Sequence, residues 1–189
     1  MVSQNSNLVG KLLVAMPGMG DPRFTHSVIY IGTHSADGAM GLIVNKPNAK
    51  LELKTLLGHL DIATGPSTPN ISVHFGGPVE KSRGFLLHSA EYIGDPDTLR
   101  IGADFALTAT IDILRDLSQG NGPNTSLLAL GYSGWAAGQL EAELLANGWL
   151  ICDASFEIVF GLADEDKWAA ALGSMGIDPM MLSAQSGRA

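Results

Sequence analysis

Short apolar runs and helical stripes share this chain, and turn signals punctuate them. Residues 8–16 are apolar apart from Gly10 and Lys11, and predict a buried strand closed by the Pro/Gly-rich loop 17–22. Residues 27–31, rich in β-branched and aromatic side chains, predict a second strand. The Asp37-Gly38 turn signal returns the chain into an antiparallel partner over 40–45, which Lys46-Pro47 ends. Leu53, Leu56, Leu57 and Leu60 follow helical spacing and predict an amphipathic helix over 49–59, with Lys50 and Lys54 on its polar side. Residues 71–75 and 84–88 predict two strands joined hairpin-like through Gly76-Gly77-Pro78, and 99–101 a short edge strand.

The second half changes rhythm. Leu107, Ile111, Leu114 and Leu117 predict a helix over 106–119, stopped by Gly120 in a left-handed cap. Residues 126–130 predict a strand that Gly131-Tyr132-Ser133-Gly134 turns into a helix over 135–146. That helix would hold Leu140, Leu144 and Leu145 inside and Glu141 and Glu143 outside. Strands at 149–152 and 157–160 and a helix over 164–174 complete the series. Early hairpins and late strand–helix alternation predict an α+β fold: a mixed, largely antiparallel sheet, closed or bifurcated and barrel-like, surrounded by helices. The expected organisation is a loosely attached 1–7, a single domain over 8–176 and a C-terminal tail over 177–189.

Composition excludes several classes. Of 189 residues, 46% are apolar and 16% charged, which suits a packed core and not a disordered chain. The 23 glycines have no triplet period, and no apolar run is long enough to span a membrane as a helix. The net charge of −8 disfavours nucleic acid as the main partner, although its distribution is uneven. Residues 1–90 carry seven Lys/Arg against five Asp/Glu, whereas 91–189 carry four against fourteen. The lone Cys152 makes no disulfide framework, and the N-terminus lacks a basic, apolar leader, so a cytoplasmic location is expected.

Candidate chemistry is sparse. Ser133 sits in Gly-Tyr-Ser-Gly-Trp, but Trp135 stands where a nucleophile elbow needs glycine, and no histidine follows His88. A helix cap is the simpler role for Ser133, and free amides at that helix start could hold an anion. The five histidines lack metal-ligand spacing, so neither a metal nor a cofactor is expected. Lys46, Lys50, Lys54, Lys81 and Arg83 could form a weak, salt-sensitive nucleic-acid patch. A hydrolase pairing an early histidine with Ser133 is the other alternative.

Ordered blocks along the chain resemble the bacterial YqgE/AlgH family. They include Ala15-Met16-Pro17, Asp21-Pro22-x-Phe24, Ser27-Val28-x-Tyr30, Gly38-Ala39-Met40-Gly41 and Val44-Asn45-Lys46-Pro47. They continue through Gly76-Gly77-Pro78, Arg83-Gly84-Phe85-x-Leu87-His88, Leu130-Gly131-Tyr132 with Trp135, and Gly138-Gln139-Leu140-Glu141-x-Glu143. Asn147-x-Trp149-Leu150 and Trp168 close the match, which covers residues 8–176. The resemblance implies an α+β fold with a closed or bifurcated sheet, in a family whose members are called transcriptional regulators in the alginate context. It supplies no catalytic residue or cofactor. Where many members carry Cys two positions before the histidine matching His34, this chain has Gly32, so no Cys–His site is implied. The resulting expectation is a non-catalytic binding or regulatory protein with a protein partner and no membrane contact. Its working surface would draw on Asp21, His26, Asn45, Lys46, Arg83, His88, Tyr132 and Trp135.

Overall fold

A computed structural model describes residues 7–182. The expectations for residues 1–6 and for the tail from 183 lie outside the described residues. The strands are β1 (Lys11–Ala15), β2 (Val28–Ser35), β3 (Gly38–Ile43), β4 (Pro47–Glu52), β5 (Ser72–Phe75) and β6 (Val79–Ser89). They continue with β7 (Leu99–Ile101), β8 (Phe105–Thr108), β9 (Ser126–Ala136) and β10 (Trp149–Asp153). The helices are α1 (Leu53–His59), α2 (Ile111–Ser118), α3 (Gln139–Leu145) and α4 (Asp164–Ser174). The expected α+β class with mixed, largely antiparallel pairing is the class observed.

The chain forms two compact units, one from Met1–Asn45 and Ser133–Ala189, the other from Lys46–Tyr132. In the first, β10, β1, β2, β3 and the end of β9 pair antiparallel in that order. Leu12, Leu13, Ile29, Ile31 and Leu42 are fully enclosed there, as expected for runs apolar on both faces. α4 donates Leu172 to this core and spends its acidic first turn, Asp164 to Asp166, on the helix dipole. Lys167 is buried as well, its Nζ donating to the Val44 carbonyl at 2.8 Å and pairing with Asp164 at 2.9 Å.

In the second unit the order is β4, β5, β9, β6, β8, β7, with β5 and β9 parallel and the other pairs antiparallel. Its core joins Leu53 and Leu57 of α1 to Ile113, Leu114 and Leu117 of α2 over Val73, Leu86 and Leu128 of the sheet. Leu53, Leu57, Leu114 and Leu117 lie inward as the leucine spacing predicted, whereas Leu60 and Ile111 are exposed and Ile113 packs in place of the latter.

Several local expectations are corrected. Residues 47–52 are strand, so Lys50 lies on β4 and the helix begins at Leu53; the helical stripe has no apolar member before that residue. The segments around 71–75 and 84–88 do not pair with each other but flank β9 on its two sides. Residues 105–108 are a strand laddered to β6, because the Leu107–Ile111 spacing fits a helix but the sheet takes the backbone bonds of Leu107. Residues 131–134 make no turn: β9 runs on to Ala136, and α3 starts only at Gln139. Leu145 of that helix is exposed rather than inside. Glu157–Gly161 forms a π-type turn where a strand was expected. The left-handed Gly120 is as expected, at φ +78°.

Candidate binding surface

The expected surface residues divide between the two units. In the first unit, Asp21 caps the 3-10 turn Pro22–Phe24 and accepts from the Arg23 amide at 3.0 Å and its guanidinium at 2.6 Å. That guanidinium holds the Asp21 carboxyl below its ordinary range. His26, in a left-handed conformation at φ +53°, lies against Trp168 with ring centroids 4.3 Å apart. Asn45 bridges β-strand ends, accepting from the Val28 amide and donating to the His26 carbonyl, both at 2.8 Å. Trp135 is buried and donates its indole N–H to Glu143 Oε2 at 2.9 Å. Asn45 and Trp135 are therefore structural anchors of this unit.

Glu143 is a group that sequence reasoning misplaced on a solvated helix face. Its Oε2 also accepts from the Trp149 indole at 2.8 Å, and its Oε1 from the Gln139 amide at 3.0 Å. Three donors on one carboxylate fix α3 against the paired tryptophans, whose rings meet edge to face at 6.0 Å. The Glu spaced four residues after Gln139 and six before Trp149 was the available signal.

His88, in the second unit, is fully enclosed and leaves the expected surface. Its Nδ1 meets the Ser89 carbonyl and its Nε2 the Thr108 hydroxyl, each at 2.9 Å. Burial holds its pKa below the ordinary histidine value, against the opposing pull of the Ser89 carbonyl and of Glu91 and Asp95.

Lys46, Arg83 and Tyr132 are the expected residues that the second unit brings to one end of its sheet. Strand pairing sets them there: the Lys46 carbonyl accepts from the Phe75 amide at 2.8 Å, Phe75 pairs with Leu130, and Tyr132 pairs with Val79. Between Val79 and Gly84 the β6–β9 register shifts, and residues 80–83 bulge outward and exposed. The bulge presents Lys81 and Arg83. Gly131, at φ +73°, makes it possible, since a Cβ there would lie 2.5 Å from the Gly77 carbonyl oxygen and 2.9 Å from that of Val79. Arg83 spreads its guanidinium over the Phe85 ring at 5.1 Å, and Phe85 meets Tyr132 edge to face at 5.8 Å. Partial burial lowers the Lys46 pKa.

The two units differ in how completely their cations are paired. The three described cations of the first, Lys11, Arg23 and Lys167, are each paired, with Asp153, Asp21 and Asp164. In the second, Arg115 pairs with Asp112 at 2.6 Å and Arg83 meets only Glu80, at 3.3 Å, while Lys50, Lys54 and Lys81 make no ion pair with any described residue. Lys50 and Lys54 do not share a helical face as expected, because Lys50 is on β4.

The catalytic alternatives fit the geometry poorly. Ser133 is 1% exposed inside β9, opposite Gly41 and six residues before α3 begins, so neither a cap nor an anion-binding turn exists there. His34 does meet a carboxylate, Glu141 Oε1 at 2.8 Å, while its Nδ1 accepts from the Leu8 amide at 3.2 Å. That histidine lowers the Glu141 pKa. A pocket of about 490 Å³ in the first unit is lined by Cys152, Ser174 and Lys11 among others, with no histidine in its wall. Burial pushes the Cys152 thiol pKa up, away from the reactive thiolate. Among the described residues no three His, Cys, Asp or Glu side chains gather as a metal-holding group.

Comparison with known proteins decides the family. The profile of a family described as AlgH-like matches residues 12–180. The chain belongs to the AlgH-like family. A UPF0301 protein of Ruegeria pomeroyi is 54% identical over 184 residues, covering 97% of this chain and all of that one. One from Paracoccus denitrificans is 53% identical over 190 residues, covering both chains in full. The solution structure of the AlgH protein from Pseudomonas aeruginosa is 40% identical, covers both chains fully and superposes with a TM-score of 0.80. A crystal structure from Corynebacterium diphtheriae, at 20% identity and TM-score 0.73 over 99% of this chain and 95% of that one, shares the fold. The YqgE/AlgH resemblance of the motif blocks thus holds along the AlgH-like chain. No helix among the described residues is long and apolar enough to cross a membrane.

Proposed function

We propose that this AlgH-like protein is a non-catalytic binding protein of the cytoplasm, acting in regulation, transcriptional regulation included, by engaging a protein partner. The contact surface is the exposed end of the second unit's sheet: Lys46, Lys81, Arg83 and Tyr132. The observation that carries this reading is the Arg83–Phe85–Tyr132 cluster, in which an exposed guanidinium rests on an aromatic base beside a half-buried tyrosine. Arg and Tyr are the residue types that most often dominate binding at protein interfaces. A preformed base also lowers the ordering cost of association.

The test is partner retention by immobilised protein from extracts of its own cell, comparing wild type with the K46A/R83A double variant. Loss of the retained protein by a variant that still unfolds in one cooperative transition is the expected result. Undiminished retention by the folded double variant would reject the surface. A nucleic-acid role through Lys46, Lys50, Lys54, Lys81 and Arg83 predicts instead retention of DNA or RNA that falls steeply with salt.

A further inference from the structure

Arg83 already has one carboxylate near it, and the form of that contact is informative. Glu80 lies within the same bulge, in a left-handed conformation at φ +45° that non-glycine residues seldom adopt. Its Oε2 reaches only one guanidinium nitrogen, Nη1, at 3.3 Å, although an Arg–carboxylate pair is commonly bidentate and shorter. Both side chains are about half exposed, at 54% and 51%. Phe85 covers one guanidinium face, which leaves the in-plane N–H donors pointing to the edge. Lys81, two residues away on the same bulge, has no ionic partner among the described residues. A one-point internal carboxylate beside an exposed ammonium that has no ionic partner among the described residues is the arrangement a stand-in would show.

We infer that this surface recognises an acidic segment of a partner protein, with a partner carboxylate displacing Glu80 from Arg83 and a second acidic side chain meeting Lys81. The inference rests on the proposed binding surface and adds the chemistry of its ligand. A carboxylate fits the planar fork of Arg83 at two points, where Glu80 reaches one. The bulge itself carries Lys81 and Arg83 against the single carboxylate of Glu80, enough for two partner carboxylates. The two cations of this short bulge match a pair of carboxylates rather than the long continuous row of phosphates that a nucleic-acid strand carries. Glu80 then serves as an internal competitor that keeps affinity modest until an acidic segment arrives.

Fluorescence anisotropy of the full-length protein with a labelled Glu-Ala repeat peptide tests this, with a Lys-Ala peptide and an oligothymidine as alternatives. Wild type should bind the Glu-Ala peptide and not the other two. Glu80→Gln should tighten that binding about two- to fivefold, the reach of an exposed pair. Arg83→Ala should weaken it at least about fivefold. The gain in Glu80→Gln is a readout that damage to the fold would not produce. Failure of the wild type to bind the acidic peptide, preference for oligothymidine, or an unchanged affinity in Glu80→Gln would overturn the inference. If partner retention is lost in K46A/R83A while the acidic peptide does not bind, the surface stands and only its ligand chemistry is refuted.

Discussion

Removing the Glu143 carboxylate should be among the most damaging single changes on any helix of this protein. Two indole N–H groups, from Trp135 and Trp149, converge on its Oε2, and those residues are 7% and 3% exposed. In Glu143→Ala both donors lose their acceptor, and each buried unsatisfied donor costs about 1–3 kcal/mol. Glu143 itself is half-buried, so water reaches part of the vacated space and the lower end of that range applies. The Gln139 amide is exposed and recovers its bond from solvent. The expected loss is about 2–4 kcal/mol, a large share of the roughly 5–15 kcal/mol that stabilises a typical domain. Glu143→Gln keeps one acceptor oxygen for the two indoles and loses the charge assistance and the bond from the exposed Gln139 amide, which solvent replaces, so it should cost about 1 kcal/mol. Urea unfolding followed by tryptophan fluorescence and far-ultraviolet circular dichroism reads both values. An alanine variant within about 0.5 kcal/mol of wild type would refute the reasoning, because the two indoles would then have another acceptor.

Outcomes at four single sites test the local packing. His88 stays neutral in the folded protein below the pH at which the unfolded chain protonates it, about 6.5. Its contribution to stability is therefore complete above that pH and is lost as pH falls below it, so the urea midpoint should drop between about pH 7.5 and 5.5, and His88→Gln should flatten that drop. Gly131→Ala forces a Cβ against the Gly77 carbonyl at a left-handed position and should destabilise by about 2–4 kcal/mol in a urea titration. Gly65→Ala, with nothing within 4 Å of its Cβ, should be close to neutral in the same assay. Cys152 should react with a thiol reagent slowly in native protein and promptly in denaturant, because burial keeps it protonated; fast native labelling would show that the adjoining pocket admits reagent to a thiolate.

What the sequence made legible tracks where local pattern and tertiary pairing agree. The Leu53–Leu57 and Leu114–Leu117 stripes name their helices because each faces one core. The continuous runs in β1 and β2 name strands because both faces are enclosed. Legibility fails where long-range pairing overrides local signal. Gly131 and Gly134 read as a turn, yet the ladders to β3 and β6 carry β9 straight through them. Phe105–Thr108 matches a helical stripe at one residue but is held by Leu86–Ser89 across the sheet. The site divides the same way. Lys46, Arg83 and Tyr132 were identifiable as polar or aromatic residues beside glycine-rich corners. Their grouping depends on β5 and β9 running parallel, a pairing between segments over fifty residues apart in the chain that no local pattern encodes. His88 resembled a surface group until the sheet enclosed it, and the Glu80 contact arises from a bulge whose register shift has no sequence signature.

The claim at the centre is that partners meet the exposed end of the second unit's sheet. Amide chemical shifts of labelled protein, recorded while the partner retained from the cell extract is titrated in, locate the contact directly. Changes concentrated at Lys81 to Gly84, Tyr132 and Lys46 are expected. Changes centred instead on Cys152 to Ser155 and Ser174, around the pocket of the first unit, would contradict it.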